Sequence, residues 1–274
     1  MYSETTIKIM KKVLTKGFND LIGSESIKHF TQKNTYSPSL SIIVPAKNEA
    51  GTIRKIVDEL PDVGSMTEII FIESDSSDNT LEEIKKVVAE YKGPKQLQFT
   101  SLDRPGKAEA VVKGFDMARG DICIIYDADM TVSSDEIKKI YEAAKTDSDI
   151  FINCSRFVYP MEKGAMRGFN YLGNKIFALI IGTLVGQKMT DTLCGTKVIY
   201  RNNFDKIKQS GLIEKLGDPF GDFTLILGAK KLGLKIIEIP VTYKKRICGI
   251  TNISRFKDGW KLLKIVLKLK LWIE

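Results

Sequence analysis

Short apolar runs alternate with longer amphipathic segments along the first half of this chain. The runs have the character of buried strands, and the segments between them carry apolar residues at helical spacing. The runs predict strands at residues 40–44, 68–72, 97–102 and 122–125. The segments predict helices at residues 49–60, 80–91 and 106–118. Such alternation favours right-handed crossovers and a parallel sheet covered on both faces, so we predict an α/β fold.

Two aspartates follow the last of these strands. The strand at residues 122–125 leads into Asp127 and Asp129, which are separated by a single alanine. Ligands of open α/β sheets bind at the carboxyl ends of the strands, so a binding site is favoured here over a solvated acidic turn. Two carboxylates at this spacing can offer oxygen to a hard divalent cation, which in turn neutralises a diphosphate.

Two other strands also end in polar clusters, at residues 45–49 and 73–80. In a parallel sheet these ends share one edge with Asp127 and Asp129, so the polar groups are expected to converge on one cleft. Ser77 or Asp78 has the simpler alternative of capping the helix that follows. The glycine patterns of dinucleotide-binding and P-loop proteins do not follow any of the strands. Nucleotide binding would therefore depend on the acidic cluster and a metal.

Composition and charge narrow the class of protein. The chain has 274 residues, of which 43% are hydrophobic, enough for one sizeable core. Its net charge is +8, and residues 244–274 hold seven Lys and two Arg against two acids. A basic tail on a nearly neutral body favours an anionic surface such as lipid headgroups, and we expect no nucleic-acid partner. The four scattered cysteines indicate core residues in a reducing compartment, and the single histidine argues against His-based catalysis.

Both ends of the chain are predicted to be amphipathic helices around one main domain. The predicted units are an N-terminal extension at residues 1–37, a main domain at 38–253 and a basic C-terminal helix at 254–274. In the C-terminal helix a lysine stripe opposes an apolar and tryptophan face, as in helices that lie in a membrane interface. The alternative is a helix docked on its own domain or on another copy. Homo-oligomerisation stays open.

A second apolar segment, at residues 176–186, is too short to span a bilayer but could lie in its interface. The N-terminus lacks the pattern of a signal peptide. We therefore expect a cytoplasmic protein attached peripherally to the inner face of the cell membrane.

Seven sequence strings, in their order and spacing, carry a family resemblance. They are SIIVPAKNEAGTI, EIIFIESDSSDNT, DRPGKAEAVVKGFDMARGD, YDADMTV, DTLCGTKVIYR, GDFTLILGAKKLGLKIIEIPVTY and KKRICGITNISRFKDG. With these strings, residues 40–260 resemble the inverting family-two glycosyltransferases of the GT-A fold. The resemblance is greatest to dolichol-phosphate mannose synthases and bacterial polyprenyl-phosphate glycosyltransferases.

The resemblance implies a donor site for a nucleotide sugar. The residues that it implies for the nucleoside pocket are Pro45, Glu49 and Glu73, with Lys107 facing the nucleotide. It implies that Asp127 and Asp129 hold the sugar diphosphate and a divalent cation, Mg2+ or Mn2+. Glu73 stands where such proteins more usually have an Asp, and Ser74 where they have a second acid, so the base is left open between GDP- and UDP-linked donors.

The resemblance also implies an acceptor site in the second half. Asp222 lies where a catalytic base is expected, although relatives often carry a second acid at the position of Thr224. Its alternative role is the N-terminal acid of a helix that ends near Leu232. Arg246, in an Arg-x-x-Gly-x-Thr pattern, is implied to contact the acceptor phosphate.

Acceptor chemistry favours a lipid phosphate. A hydroxyl acceptor needs a positioned base in the transition state. A phosphate monoester already carries about −1.5 to −2 charges at neutral pH and can attack without one. The missing second acid therefore agrees better with polyprenyl phosphate as the acceptor.

The predicted function is a metal-dependent, inverting transfer of a sugar from a nucleotide sugar to polyprenyl phosphate at a membrane surface. The main alternative acceptor is a saccharide hydroxyl in cell-surface polysaccharide synthesis. A remote alternative is a haloacid-dehalogenase-like phosphatase, because ICIIYDADMT also fits its Asp-x-Asp-x-Thr motif. A non-catalytic scaffold that kept the fold is a further alternative, which the intact pair of aspartates disfavours.

Overall fold

The computed structural model describes residues 37–104, 106–162, 164–166, 168–246 and 259–265. Seven strands form one sheet in the order β3-β2-β1-β4-β6-β5-β7. The strands are β1 Leu40–Ala46, β2 Thr67–Ser74, β3 Gln96–Leu102, β4 Ile122–Ile125, β5 Ile150–Ser155, β6 Lys197–Tyr200 and β7 Lys235–Pro240. The helices are α1 Ile53–Glu59, α2 Thr80–Glu90, α3 Lys107–Met117, α4 Glu136–Ala144, α5 Gly168–Val185, α6 Arg201–Gln209, α7 Leu212–Leu216 and α8 Asp222–Lys231.

The sheet is mixed, and its parallel part is the predicted one. β1 pairs in parallel with β2 and β4, and β2 with β3. β6 is antiparallel to β4 and to β5, and β5 is parallel to β7. Helices flank the sheet, so the predicted α/β architecture with a parallel or mixed sheet is confirmed.

Two predicted boundaries near the site were wrong. β1 continues past Pro45 to Ala46, because β1 has left its neighbour β4 by Pro45 and the missing N–H is tolerated at such an edge. The first helix begins at Ile53 and not at residue 49. Gly51 has a φ of 92°, and the Thr52 N–H and hydroxyl both donate to the Glu49 carbonyl, so residues 49–52 form a turn.

Two apolar cores lie on the two faces of the sheet. One face packs under α1, α2 and α4, and the other under α3, α5, α6 and α8. Cys123, Cys154 and Cys194 are free and buried, as predicted, whereas Cys248 lies outside the described residues. The cores fix the strands so that their carboxyl ends can carry polar groups without loss of packing.

Of the two predicted membrane elements, the structure describes α5 and only part of the C-terminal helix. Residues 259–265 are helical, and Leu262 and Ile265 are buried in the second core. The remainder of the C-terminal helix and the extension at residues 1–36 lie outside the described residues. α5 begins eight residues before the apolar run at 176–186 that predicted it. Of the helices in the described part of the chain, none has both the length and the hydrophobicity to cross a bilayer.

Left-handed backbone marks the carboxyl edge of the sheet. Asn48, Asp75 and Met130 have positive φ angles of 55°, 51° and 53°, and they follow β1, β2 and β4. Such conformations are costly for residues other than glycine and cluster at functional sites. After β4, the Tyr126 hydroxyl donates to the Val132 carbonyl at 2.9 Å and holds the turn from the inside.

Buried tyrosine hydroxyls should contribute measurably to the stability of this fold. Tyr126→Phe and Tyr141→Phe each remove a buried donor, to the carbonyls of Val132 and Pro38. We expect each variant to lower the free energy of unfolding by about 1–2 kcal/mol in urea denaturation. The control is Tyr91→Phe, whose hydroxyl accepts a weak 3.4 Å hydrogen bond; its change should stay within about 0.5 kcal/mol. Equal losses in all three variants would contradict the assignment.

Candidate active site

The two aspartates after β4 each meet a basic side chain. Asp127 Oδ1 lies 2.6 Å from Lys107 Nζ, at the start of α3. Asp129 Oδ2 accepts from Arg246 Nη2 at 2.8 Å, and its Oδ1 accepts the N–H and hydroxyl of Thr131 at 3.0 and 2.8 Å. Lys107 and Arg246, which the resemblance assigns to the nucleotide and to the acceptor phosphate, therefore both lie beside the two aspartates at one edge of the sheet.

The Lys107–Asp127 pair keeps both groups charged. Burial opposes the charge on Lys107, but Asp127 and Asp222 outweigh it and raise the lysine pKa. Burial likewise raises the pKa of Asp127, but Lys107 holds it below its ordinary value. A Cβ on Gly195 would lie 2.2 Å from Asp127 Oδ2 and 2.5 Å from Lys107 Nζ. Only glycine lets the chain pass this close to the pair.

Glu49, predicted for the nucleoside pocket, lies at the end of the site that holds Asp129. Its Oε1 accepts from Arg246 Nη1, so one guanidinium joins the carboxylates of Glu49 and Asp129. Its Oε2 is buried and has no hydrogen-bond partner within the described residues. Burial raises the pKa of Glu49 to about 7, with Arg246 opposing the shift and Asp129 adding to it.

Glu73 lines a cavity at the ends of β2 and β3. The cavity has a volume of about 330 Å³, and its lining includes Ser101, Leu102 and Asp103. Glu73 accepts from the Ser101 hydroxyl and from the Ser76 N–H, at 2.5 and 2.6 Å. Burial raises the pKa of Glu73, but these hydrogen bonds outweigh it and hold the carboxylate ionised. Such a group can accept from a ligand N–H.

The strand ends beside this cavity are joined to each other. Pro45 lies opposite Ile72 in the pairing of β1 with β2, next to the Glu73 position. Asp78 accepts the N–H groups of Thr80 and Ala50, at 3.0 and 3.2 Å. Asp78 therefore accepts an N–H group at the start of α2, in agreement with the capping alternative, although the N-cap residue itself is Asn79.

Asp222 lies at the start of α8 but does not cap it. Asp218 does so, because its Oδ2 accepts the N–H groups of Phe223 and Thr224 at 2.8 and 3.2 Å. Asp222 Oδ1 instead lies 3.1 Å from Lys197 Nζ, and both side chains are buried. Burial raises the pKa of Asp222, with Lys197 and Lys107 opposing the shift.

Sequence reasoning missed three residues around the two aspartates. Lys197 is buried at the start of β6, where its ammonium also donates to the Cys194 carbonyl at 2.6 Å. Arg156 makes a two-pronged pair with Asp191, at 2.7 and 2.9 Å. The available signal was the string DTLCGTK, which begins with the charged Asp191 and ends with the charged Lys197 around a short uncharged segment.

The carboxylates of the site suit a divalent cation that takes its remaining ligands from phosphate oxygens and water. Within the described residues, no three Asp, Glu, Cys or His side chains converge well enough to hold a metal alone. Asp127 and Asp129 supply hard oxygens, and Glu49 Oε2 is a buried oxygen with no hydrogen-bond partner within the described residues. Hard cations such as Mg2+ take one or two carboxylates and complete the shell with phosphate oxygens and water. The residues present fit that pattern.

Known proteins share both the sequence and the fold of this chain. Residues 41–208 match the family described as glycosyl transferase family 2. The low-salt glycan biosynthesis hexosyltransferase Agl6 of Haloferax volcanii is 27% identical over 238 residues, 84% of this chain and 54% of that protein. A dolichol-phosphate mannosyltransferase of Pyrococcus furiosus is 25% identical over 239 residues, 85% and 64% of the two chains. The chain thus spans less than two thirds of these two relatives.

A solved structure supports the GT-A fold. Glucosyl-3-phosphoglycerate synthase of Mycobacterium tuberculosis, in complex with Mn2+, UDP and glucosyl-3-phosphoglycerate, has a TM-score of 0.58 to this chain. The two are 18% identical, and the match covers 85% of this chain and 78% of that one. At this identity the likeness concerns the fold alone, which confirms the predicted architecture.

The Lys197–Asp222 pair should govern stability in a pH-dependent way. Lys197→Met leaves a buried carboxylate without its nearest cation, which should cost about 3–5 kcal/mol at neutral pH. The Asp222 pKa, already raised, should rise further. Because the pKa of Asp222 is then higher in the folded than in the unfolded variant, the variant should keep its stability at low pH and lose it as the pH rises through that folded-state pKa.

Urea denaturation across pH measures this effect. The double variant Lys197→Met/Asp222→Asn removes the charge and should recover most of the loss and abolish the added pH dependence. A single variant with the pH profile of the unaltered protein would refute the pairing.

Proposed function

Because this chain belongs to glycosyl transferase family 2, we propose that it transfers a sugar from a nucleotide sugar to polyprenyl phosphate at a membrane surface. The observation that carries the proposal is the pair Asp127 and Asp129, each beside a basic side chain at the carboxyl edge of the sheet. That arrangement suits a sugar diphosphate with its counter-cation. The phosphatase alternative loses its basis, since the aspartates belong to a glycosyltransferase family sequence.

The donor would lie along the edge from β3 to β4. We assign the nucleoside to the cavity beside Glu73 and Pro45, whose polar lining offers acceptors for a base N–H. This assignment fits a GDP- or a UDP-linked sugar. Lys107 would face the diphosphate, because its ammonium lies against Asp127.

Asp127 and Asp129 would hold Mg2+ or Mn2+. A bound divalent cation would stabilise the charge that develops on the departing nucleoside diphosphate. Arg246 and Lys107 would add fixed positive charge to the same region. In a single displacement the acceptor attacks the anomeric carbon from the face opposite the leaving group, so the configuration inverts, as is general for this family.

Several features favour a phosphate as the acceptor. The P. furiosus relative is named for dolichol phosphate. Thr224 carries no charge, and the nearby Asp222 is paired with Lys197. A phosphate acceptor needs cations more than a base, and Arg246 is proposed as its contact.

One observation favours the alternative acceptor, a saccharide hydroxyl. Burial raises the pKa of Asp222, as a general base toward a hydroxyl requires. The H. volcanii relative is named for glycan biosynthesis. The identity of the acceptor is therefore the first property to measure.

α5 supplies the best surface for a lipid contact. Leu172, Ile176 and Leu179 follow one another at helical spacing and are 58%, 50% and 72% exposed. α5 has no acidic residue, and Lys175 lies within it. An exposed apolar stripe with nearby lysines matches helices that lie in an anionic membrane interface. We propose this face, together with the basic tail, as the peripheral membrane contact.

A panel of nucleotide sugars tests the reaction. We expect a GDP- or UDP-hexose, with Mg2+ or Mn2+, to glycosylate polyprenyl phosphate, and mass spectrometry to detect the lipid-phosphate sugar. Transfer to saccharides alone would favour the alternative acceptor. Release of inorganic phosphate without transfer would contradict the proposal.

A matched pair of glycine variants controls the panel. Gly195→Ala forces a methyl group between Asp127 and Lys107 and should lower turnover at least about tenfold. Among the described residues, a methyl group on Gly259 would meet nothing within 4 Å, so Gly259→Ala should leave turnover unchanged.

Vesicle sedimentation tests the membrane face. The triple variant Leu172→Gln, Ile176→Gln and Leu179→Gln should bind anionic phospholipid vesicles at least about tenfold more weakly, because apolar burial in the interface is lost. Trp260→Gln removes an exposed apolar side chain from the C-terminal helix and separates the contribution of the tail from that of α5. If Trp260→Gln abolishes sedimentation and the triple variant does not, the contact belongs to the tail.

A further inference from the structure

Arg246 occupies the place where a cation would meet Asp129. Its Nη2 lies 2.8 Å from Asp129 Oδ2, and its Nη1 donates to Glu49 Oε1. The two carboxylates follow different strands, β1 and β4, and one guanidinium neutralises both. A positive charge beside Asp129 therefore comes from the chain itself.

The backbone that delivers Arg246 is fixed beside the two aspartates. Tyr243 forms a β-bridge with Val132, and the Lys244 N–H donates to the Thr131 carbonyl at 2.7 Å. The Lys245 N–H donates to Glu162 Oε2, also at 2.7 Å. Because the preceding residues are held in place, release of Asp129 requires movement of the Arg246 side chain only.

Glu49 sets where that side chain can go. Its carboxylate is 6% exposed, and Oε2 has no hydrogen-bond partner within the described residues. A buried carboxylate without a cation is costly, so Glu49 favours retention of the guanidinium. A guanidinium that leaves Asp129 can keep its contact with Glu49 and turn its free donors toward the entering ligand.

We propose that Arg246 and a divalent cation compete for Asp129, with Glu49 as the positioning residue that keeps the displaced arginine at the site. This inference rests on the proposed function, which supplies the divalent cation. A metal ion alone must displace the arginine from Asp129. A nucleoside diphosphate brings negative charge, which gives the displaced Arg246 a new partner and so relieves the competition.

The competition predicts that the effect of Arg246→Gln on Mn2+ affinity depends on whether a nucleotide is present. Without nucleotide, Arg246→Gln should bind Mn2+ about tenfold more tightly than the unaltered protein, a coupling of ordinary size between two ligands. With excess UDP or GDP and no acceptor phosphate present, the advantage should vanish or reverse, because the freed arginine can then pair with the diphosphate. A residue with only a structural role would not produce this dependence on nucleotide.

Electron paramagnetic resonance of free Mn2+ measures the affinities on the whole chain. The matched control is Lys245→Gln, which removes the same charge from an exposed neighbour. Because surface charge is screened, it should change Mn2+ affinity by less than about twofold. Arg246→Lys, which keeps the charge but not the two-carboxylate span, should fall between the unaltered protein and Arg246→Gln and covers the case in which the glutamine variant misfolds.

The inference is overturned if Arg246→Gln, folded by circular dichroism, binds Mn2+ alone no more tightly than the unaltered protein. It is also overturned if Lys245→Gln gives the same gain. Neither readout involves donor or acceptor turnover. A failed transfer assay with the predicted Mn2+ pattern would discard the proposed reaction and leave the competition intact.

Discussion

Repulsion among carboxylates at one edge of the sheet is the constraint on which this site depends. Parallel pairing brings the ends of β1 and β4 together, and with them Glu49, Asp127 and Asp129. Negative charges this close, and partly withdrawn from water, oppose folding unless cations lie between them. The chain supplies a basic side chain for each group: Lys107 for Asp127, Arg246 for Asp129 and Glu49, and Lys197 for Asp222.

This balance prepares the site for ligands of both signs. In the proposed competition, a cation at Asp129 would free the Arg246 guanidinium, and a diphosphate beside it could pair with that guanidinium. Groups that are already oriented need little rearrangement when the ligand arrives, which is how polar sites stabilise developing charge. The left-handed backbone at Asn48 and Met130 helps to orient these carboxylates, since it turns the chain sharply after β1 and β4, next to Glu49 and Asp129.

Local sequence signals predicted what local physics determines. The strands and helices of the first half, and the aspartates at the end of β4, followed from apolar periodicity and from the shared edge of parallel strands. Contacts between distant residues left no such signal. Lys197 begins β6, and its buried partner Asp222 lies 25 positions later, so the pair could not be recognised from the residues around either member. Glu49 was assigned to a helix because a turn closed by Gly51 has the same polarity pattern as a helix start.

The two halves of the chain divide the chemistry between them. The first half supplies the cavity proposed for the nucleoside and both aspartates, whereas the second half supplies Lys197, Arg246 and the exposed face of α5. In this division, changes to Arg246 or α5 can alter what approaches the donor without disturbing Asp127 or its partner Lys107. Folds that host many functions do so by keeping one site and varying the elements around it. We therefore expect the second half to determine the acceptor, because Thr224 is uncharged and the charge on Lys197 is buried there.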